Sequence, residues 1–269
     1  MPYLLSAFSN MRSLRFPHWI ICWLLVLGLH AAEPAKVAWA TPEKPEWDGW
    51  VEDVVKLRAE RKSQPLAGYL YSEEVAWDSY HDLNQSILAD TRVLSLEWKG
   101  KEWDTIDGWK KGQKLLLCYD EANGATLSDP VTKKRFPVSG AWKKKGEFVH
   151  PIDAYLASLD AYKTYDMMSA CYEARRLWRL EIDRVVKKVL AKKHLPAKVR
   201  QEFIALSAAR VKYCELQGSF GASAIHADIT GTAGGPMGLN YLAGIYRDAY
   251  RQLAELADHL RAYDEPPER

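Results

Sequence analysis

Cysteine is scarce in this chain: four in 269 residues, none of them in a Cys-x-x-Cys pair. That excludes a disulfide-dense scaffold and a zinc ribbon. His150, His194, His226 and His259 lack a helical i, i+4 partner, so no metal site is expected. A Gly-Lys-Ser/Thr phosphate loop is missing, as is a Gly-x-Ser-x-Gly nucleophile turn. Net charge is small, +2, so no broad field attracts nucleic acid or anionic lipid. Internal repeats and low-complexity tracts are also absent. The expectation is a protein with no cofactor, no metal, no catalytic residues and no nucleic-acid partner.

What the chain does contain is a globular composition, 48% hydrophobic and 27% charged, with 11 Trp and 14 Tyr. Aromatic residues serve core packing and partner contacts alike. The N-terminus is more specific. Arg12 and Arg15 precede the eleven-residue apolar run Trp19–Leu29, and small residues follow at Ala31-Ala32 and Ala38-Trp39-Ala40. Basic region, apolar core and small-residue site stand in the order of a secretory signal. The run is shorter than the ~20 residues of a spanning helix. Met11 is an alternative start, since Met1–Asn10 adds nothing a signal needs. The expectation is a periplasmic or secreted protein that does not span the membrane once residues 1–40, signal and leader, are removed.

Residues 41–148 read as an N-terminal β-rich module with short helices. Val93–Trp98 and Lys114–Tyr119 look like strands, Asn123-Gly124 is a turn signal, and Thr126-Leu127 and Arg135–Val138 suggest shorter strands. Trp47–Arg61 suggests a short amphipathic helix, and Lys143-Lys144-Lys145 a solvated turn.

Residues 149–263 read as helical. One apolar stripe runs through Ala170, Cys171, Ala174, Leu177, Trp178, Ile182, Val185, Val186, Val189 and Leu190. A second follows Pro196 through Val199, Phe203, Leu206, Tyr213 and Phe220, and a third runs from Leu242 to Leu260. The fold class expected is therefore α+β: a small β-rich N-terminal module followed by a C-terminal α-helical bundle. Gly218–Gly238, with six glycines, is expected to be a long loop between the second and third helices.

Several features of the helical half fall in an order that resembles the LprI-type lysozyme-inhibitor-like family. They are His150-Pro151-Ile152-Asp153, Thr164 through Met167-Met168 to Cys171, and Trp178 with Glu181-Ile182-Asp183. Tyr213 with Glu215, a Gly-Thr segment, and Arg247 with Arg251 continue the order, so that the resemblance covers roughly residues 150–260. Tyr155 stands where many members carry Cys, Arg179 where they carry an acid beside the Trp, and Arg210 where an aromatic is expected. The resemblance implies an exported helical domain and, more remotely, a lysozyme as protein partner. An envelope interaction protein without inhibitor activity is the alternative, and an enzyme acting on an envelope polymer the remoter one.

Two sets of residues follow. The candidate partner-binding surface is Ser219, Ser223, His226, Asp228 and Thr232 in the expected loop, with Arg247 and Arg251 on one helix face. A loop presenting His226, serines or an arginine could pair with the two carboxylates of a glycosidase cleft. Ser219, His226 and Asp228 alternatively mimic a nucleophile, base and orienter, and the arginines alternatively bridge Asp248, Glu255 or Asp228. The second set is Cys171 and Cys214. In an antiparallel helix pair their heights differ by about four residues, ~6 Å, so a disulfide and two buried thiols are both open. Cys118, in a Leu-rich strand, reads as a buried thiol.

Overall fold

The computed structural model describes residues 51–61, 64–82, 85–97, 102–142, 148–159, 161, 163–228 and 234–263. The signal and leader, Lys143-Lys144-Lys145 and Thr232 lie outside the described residues. The described residues form one compact unit.

After helix α1 (Val51–Glu60) come strands β1 (Tyr71–Asp82), β2 (Gln85–Leu88) and β3 (Val93–Leu96), helix α2 (Trp103–Asp107), then β4 (Lys114–Asp120), β5 (Gly124–Ser128) and β6 (Arg135–Trp142). All neighbouring strands pair antiparallel, and they close into a barrel in the order β1-β2-β3-β6-β5-β4. Closure leaves no sheet edge to template aggregation. Register stacks Leu117 opposite Leu127 and Leu127 opposite Phe136, and all three are buried with Leu88, Leu94, Leu96 and Leu115. Trp109, just beyond α2, packs edge-on against Phe136 (5.4 Å) and Trp77 (6.2 Å). Its indole N–H donates to Asp129 at 3.1 Å, which satisfies the polar end of a buried ring.

The β4–β5 hairpin turns through Glu121-Ala122-Asn123. Asp120 Oδ1 accepts from the backbone N–H of Ala122 (2.9 Å) and Asn123 (2.7 Å), and Gly124 takes φ +77°. A side chain there would meet Arg184 at 2.9 Å, so glycine also lets the hairpin approach the helices.

The helical half comprises α3 (Pro151–Ser158), α4 (Thr164–Ala191), α5 (Ala197–Asp228) and α6 (Gly234–His259), with a closing 3-10 turn at Arg261–Tyr263. His150 starts α3 as a capping box: its Nδ1 accepts from Ile152 N–H at 3.2 Å, and Asp153 accepts from His150 N–H at 3.1 Å. Pro151 occupies the first turn, where its missing N–H costs nothing. The α4 stripe, with Leu177, Trp178, Ile182, Val186 and Val189 buried, packs on α6. α6 also takes α5 on another side, while α4 and α5 scarcely touch. Ala243, Ala249, Ala254 and Ala257 keep α6 slim enough for both neighbours. No described helix is long and apolar enough to cross a membrane.

Two expectations are corrected. The β half is not a small module leading into a separate bundle. Its strands close into a barrel, and helices from both sides of it in sequence pack on that barrel or on one another. The strand that completes the ring, β1, is polar in sequence, and among its described side chains only Val75 and Trp77 are buried. The expected loop from Gly218 is instead helix through Asp228, and helix resumes at Gly234. Gly218 and Gly221 belong to the α5–α6 contact: a Cβ on them would lie 1.9 Å from Leu242 Cδ1 and 2.1 Å from Tyr241 Cε1. They are glycines because the two helices approach closely, not because the chain turns there.

Candidate functional site

Where α4 crosses the barrel, charged residues are sealed into an apolar seam. Glu173 and Glu181 sit on the buried face of α4, 2% and 4% exposed, and a buried carboxylate persists only if donors surround it. Glu173 receives Arg58 from α1, Arg176 at 2.9 and 3.1 Å, and the Tyr155 hydroxyl of α3 at 3.1 Å. Glu121, in the hairpin, takes Arg176 at 2.8 and 3.0 Å and Arg58 at 3.1 Å. The hydrogen bonds of Arg176, aided by Arg58, hold the Glu121 carboxyl below its ordinary range against the opposing effect of burial. This cluster ties α1, α3, α4 and the barrel together with every carboxylate answered.

Glu181 is different. Its Oε1 accepts from the Tyr119 hydroxyl at 2.9 Å and from Arg184, and among the described residues its Oε2 has no hydrogen-bond partner. Burial pushes this carboxyl above its usual range, against the pull of Arg184 and Tyr119. Arg184 also donates to the Glu121 backbone carbonyl at 2.8 Å, which fixes the guanidinium to the hairpin. Glu181 borders a cleft of about 240 Å³ between β5, β6, α4 and α6. Val138, Val185, Ala254 and Ala257 give it apolar walls, and Glu97 paired with Lys188 stands at its side. Tyr250, 2% exposed, anchors α6 to the barrel by donating to the Ser139 carbonyl at 3.2 Å. The cleft therefore offers a fixed acceptor, apolar walls and a nearly balanced set of charges.

Beside it lies an aromatic cage about His150: Trp178 at 5.1 Å, Tyr250 at 5.5 Å, Tyr119 at 6.0 Å and Phe148 at 6.2 Å between ring centres. Burial, then Arg247 and Arg184, push the imidazole down to about 3, so it is neutral. With Nδ1 accepting from the α3 backbone, Nε2 carries the proton, and it is buried without a partner.

The residues singled out from sequence do not assemble. Ser219 and Ser223 are exposed on α5. His226 and Asp228 lie in its last turns as backbone, with their side chains outside what is described. Arg247, half-buried, is held by Asp153 (2.9, 2.9 and 3.2 Å) and the Phe148 carbonyl (2.6 Å), over the rings of Phe148 and Trp178. Arg251 is half-buried, with its Nε unanswered. Cys171 and Cys214 are free thiols, so of the two open readings the disulfide is not formed. Each faces α6, but Cys171 meets the Pro236 carbonyl and Cys214 that of Ile245, nine residues or ~13 Å apart along the helix, beyond the ~7 Å limit between disulfide Cα atoms.

Sequence reading passed over Glu181, Tyr119, Arg184, Lys188 and Tyr250 as a site. One signal was present: Glu173 and Glu181 interrupt the apolar stripe of α4 on its inward side, where a charge needs a reason. No family model, curated protein or solved structure matches this chain.

Proposed function

We propose that this chain is an exported envelope protein that binds a small ligand in the Glu181 cleft and does not transform it. The observation carrying this reading is the half-answered carboxylate of Glu181 at the wall of the cleft. Ligand sites are concave, mostly apolar and furnished with a few fixed polar groups, and a buried ionisable group of perturbed affinity in a cleft marks a candidate site. At about 240 Å³ the cleft suits a ligand of a few carbon atoms, below the ~300 Å³ at which drug-sized pockets begin. Oε2 calls for a donor, and the walls call for an alkyl body. A compact alkylammonium or amide combines the two. The titratable groups are all committed, Tyr119 to Glu181, Glu181 to Arg184 and Tyr250 to Ser139, which supports holding over catalysis. Export rests on the N-terminal order of basic, apolar and small residues.

Thermal melting with n-butylammonium, and with n-butanol as its uncharged twin, tests the reading. The ammonium raises Tm with concentration, the alcohol does so less, and Val185→Trp, which fills the cleft from a half-exposed position, abolishes the rise. A Tm indifferent to n-butylammonium, or a rise that survives in Val185→Trp, rejects it. A protein partner is the second reading, with lysozyme as the first candidate, and its support is the order of motifs across residues 150–260. Undiminished clearing of cell walls by lysozyme when this protein is in excess would dismiss it.

A further inference from the structure

Helix α5 is apolar on two opposite sides. Phe203, Val211, Cys214 and Gly218 face inward and are buried. On the other side Leu206, Tyr213, Leu216 and Phe220 are 42%, 55%, 61% and 76% exposed. Met237 and Tyr241 of α6 extend the patch at 51% and 38%, with Tyr241 lying against Gly221. Large apolar groups are rarely left in water in a contiguous row.

The row has a register. Leu206, Ala209, Tyr213, Leu216, Phe220 and Ser223 alternate in steps of three and four, which is the seam of a helix pair packing knobs into holes. We propose that this seam is occupied by α5 of a second copy of this chain, running antiparallel. A two-fold axis between Cys214 and Glu215 sets Tyr213 opposite Leu216, Ala209 opposite Phe220 and Leu206 opposite Ser223 of the other copy. Every large side chain then meets a smaller or differently shaped one, and both copies use the same patch, as an isologous interface requires.

Charge and area agree. Lys198 with Glu202 (3.9 Å) and Lys212 with Glu215 (3.8 Å) are paired within the helix, so the face presents little net charge to a copy of itself. At the seam edges the same two-fold places Lys212 near Ser219 and Arg210 near Gln217, with no like-charge encounter. At ~150–250 Å² for a large aromatic side chain, the exposures amount to on the order of 600 Å² per copy, most of the ~800 Å² each partner contributes to a standard interface.

Sedimentation equilibrium of the purified protein reads this directly. The wild type sediments at twice the chain mass, and Leu216→Arg or Tyr213→Glu weakens association by ~100-fold or more, with far-UV circular dichroism unchanged because both positions are exposed. Mixing the two variants restores the dimer, since the introduced Arg and Glu face one another only in the antiparallel register. A monomer at all concentrations, a dimer indifferent to Leu216→Arg, or variants that do not rescue each other would overturn the proposal. So would a monomer whose α5 face instead captures lysozyme.

Discussion

The Tyr119 hydroxyl on β4 donates to Glu181 Oε1 on α4 across 2.9 Å, although 62 positions separate the two residues in the chain. This bond joins the barrel to the helices beside the cleft that Glu181 borders. Tyr119→Phe removes a donor from a buried carboxylate and is expected to cost about 1–3 kcal/mol, measured as a lower urea midpoint. An unchanged midpoint would mean that Arg184 alone suffices for Glu181.

Two neighbouring glycines should respond oppositely to the same change. Alanine at Gly218 drives a methyl into Leu242, which is 6% exposed and has nowhere to go; overpacking of this kind costs about 1–3 kcal/mol. At Gly221 the obstacle is Tyr241, 38% exposed and free to swing outward. There the ~1 kcal/mol gain in helix propensity of Ala over Gly should leave stability equal or higher. Melting temperatures of the two variants decide it.

Stability should fall with acid before the carboxylates titrate. His150 binds its proton near pH 6.5 when unfolded but only at about 3 when folded. Between those values the unfolded chain holds more protons, so its contribution is complete above pH 6.5 and is lost as pH falls, at up to ~1.4 kcal/mol per pH unit. Glu181, raised by burial, has the opposite sign: it favours the folded state as pH falls from its folded value toward the ordinary carboxyl range. Urea midpoints from pH 7 to 4.5 should therefore decline in the wild type. The slope should flatten in His150→Asn, which keeps an N-cap acceptor.

Reductant should make no difference. Cys118, Cys171 and Cys214 are free, with burial pushing each thiol up to about 11. In the chain lacking residues 1–40, and so Cys22, all three thiols should react with a thiol reagent after unfolding and few before, and the melting temperature should not move on adding a phosphine. A shift downward on reduction would indicate a bridge.

Helix periodicity placed the apolar stripe of α4, where Leu177, Trp178, Ile182, Val186 and Val189 bury one face. In α5 it followed Leu206, Tyr213 and Phe220, which lie exposed, and missed the buried Val211 and Cys214, because this helix is apolar on two sides. Periodicity could not show β1, where Glu73, Glu74, Asp78 and Ser79 break the apolar alternation and only Val75 and Trp77 are buried among the described side chains. Local glycine content misled at Gly218 and Gly221, where packing against α6 overrides intrinsic propensity. The candidate site was legible only as an anomaly, two glutamates inside an apolar stripe. Their partners Tyr119 and Arg58 come from elements that sequence alone does not bring near.

α6 stands between α4 and α5, yet follows both in the chain. A polypeptide emerging N-terminus first thus carries two long helices with the sides that pack on α6 uncovered until residues 234–259 arrive. Over that interval chaperones have most to shield, and a nonsense mutation shortly before Gly234 would strand both helices rather than trim one.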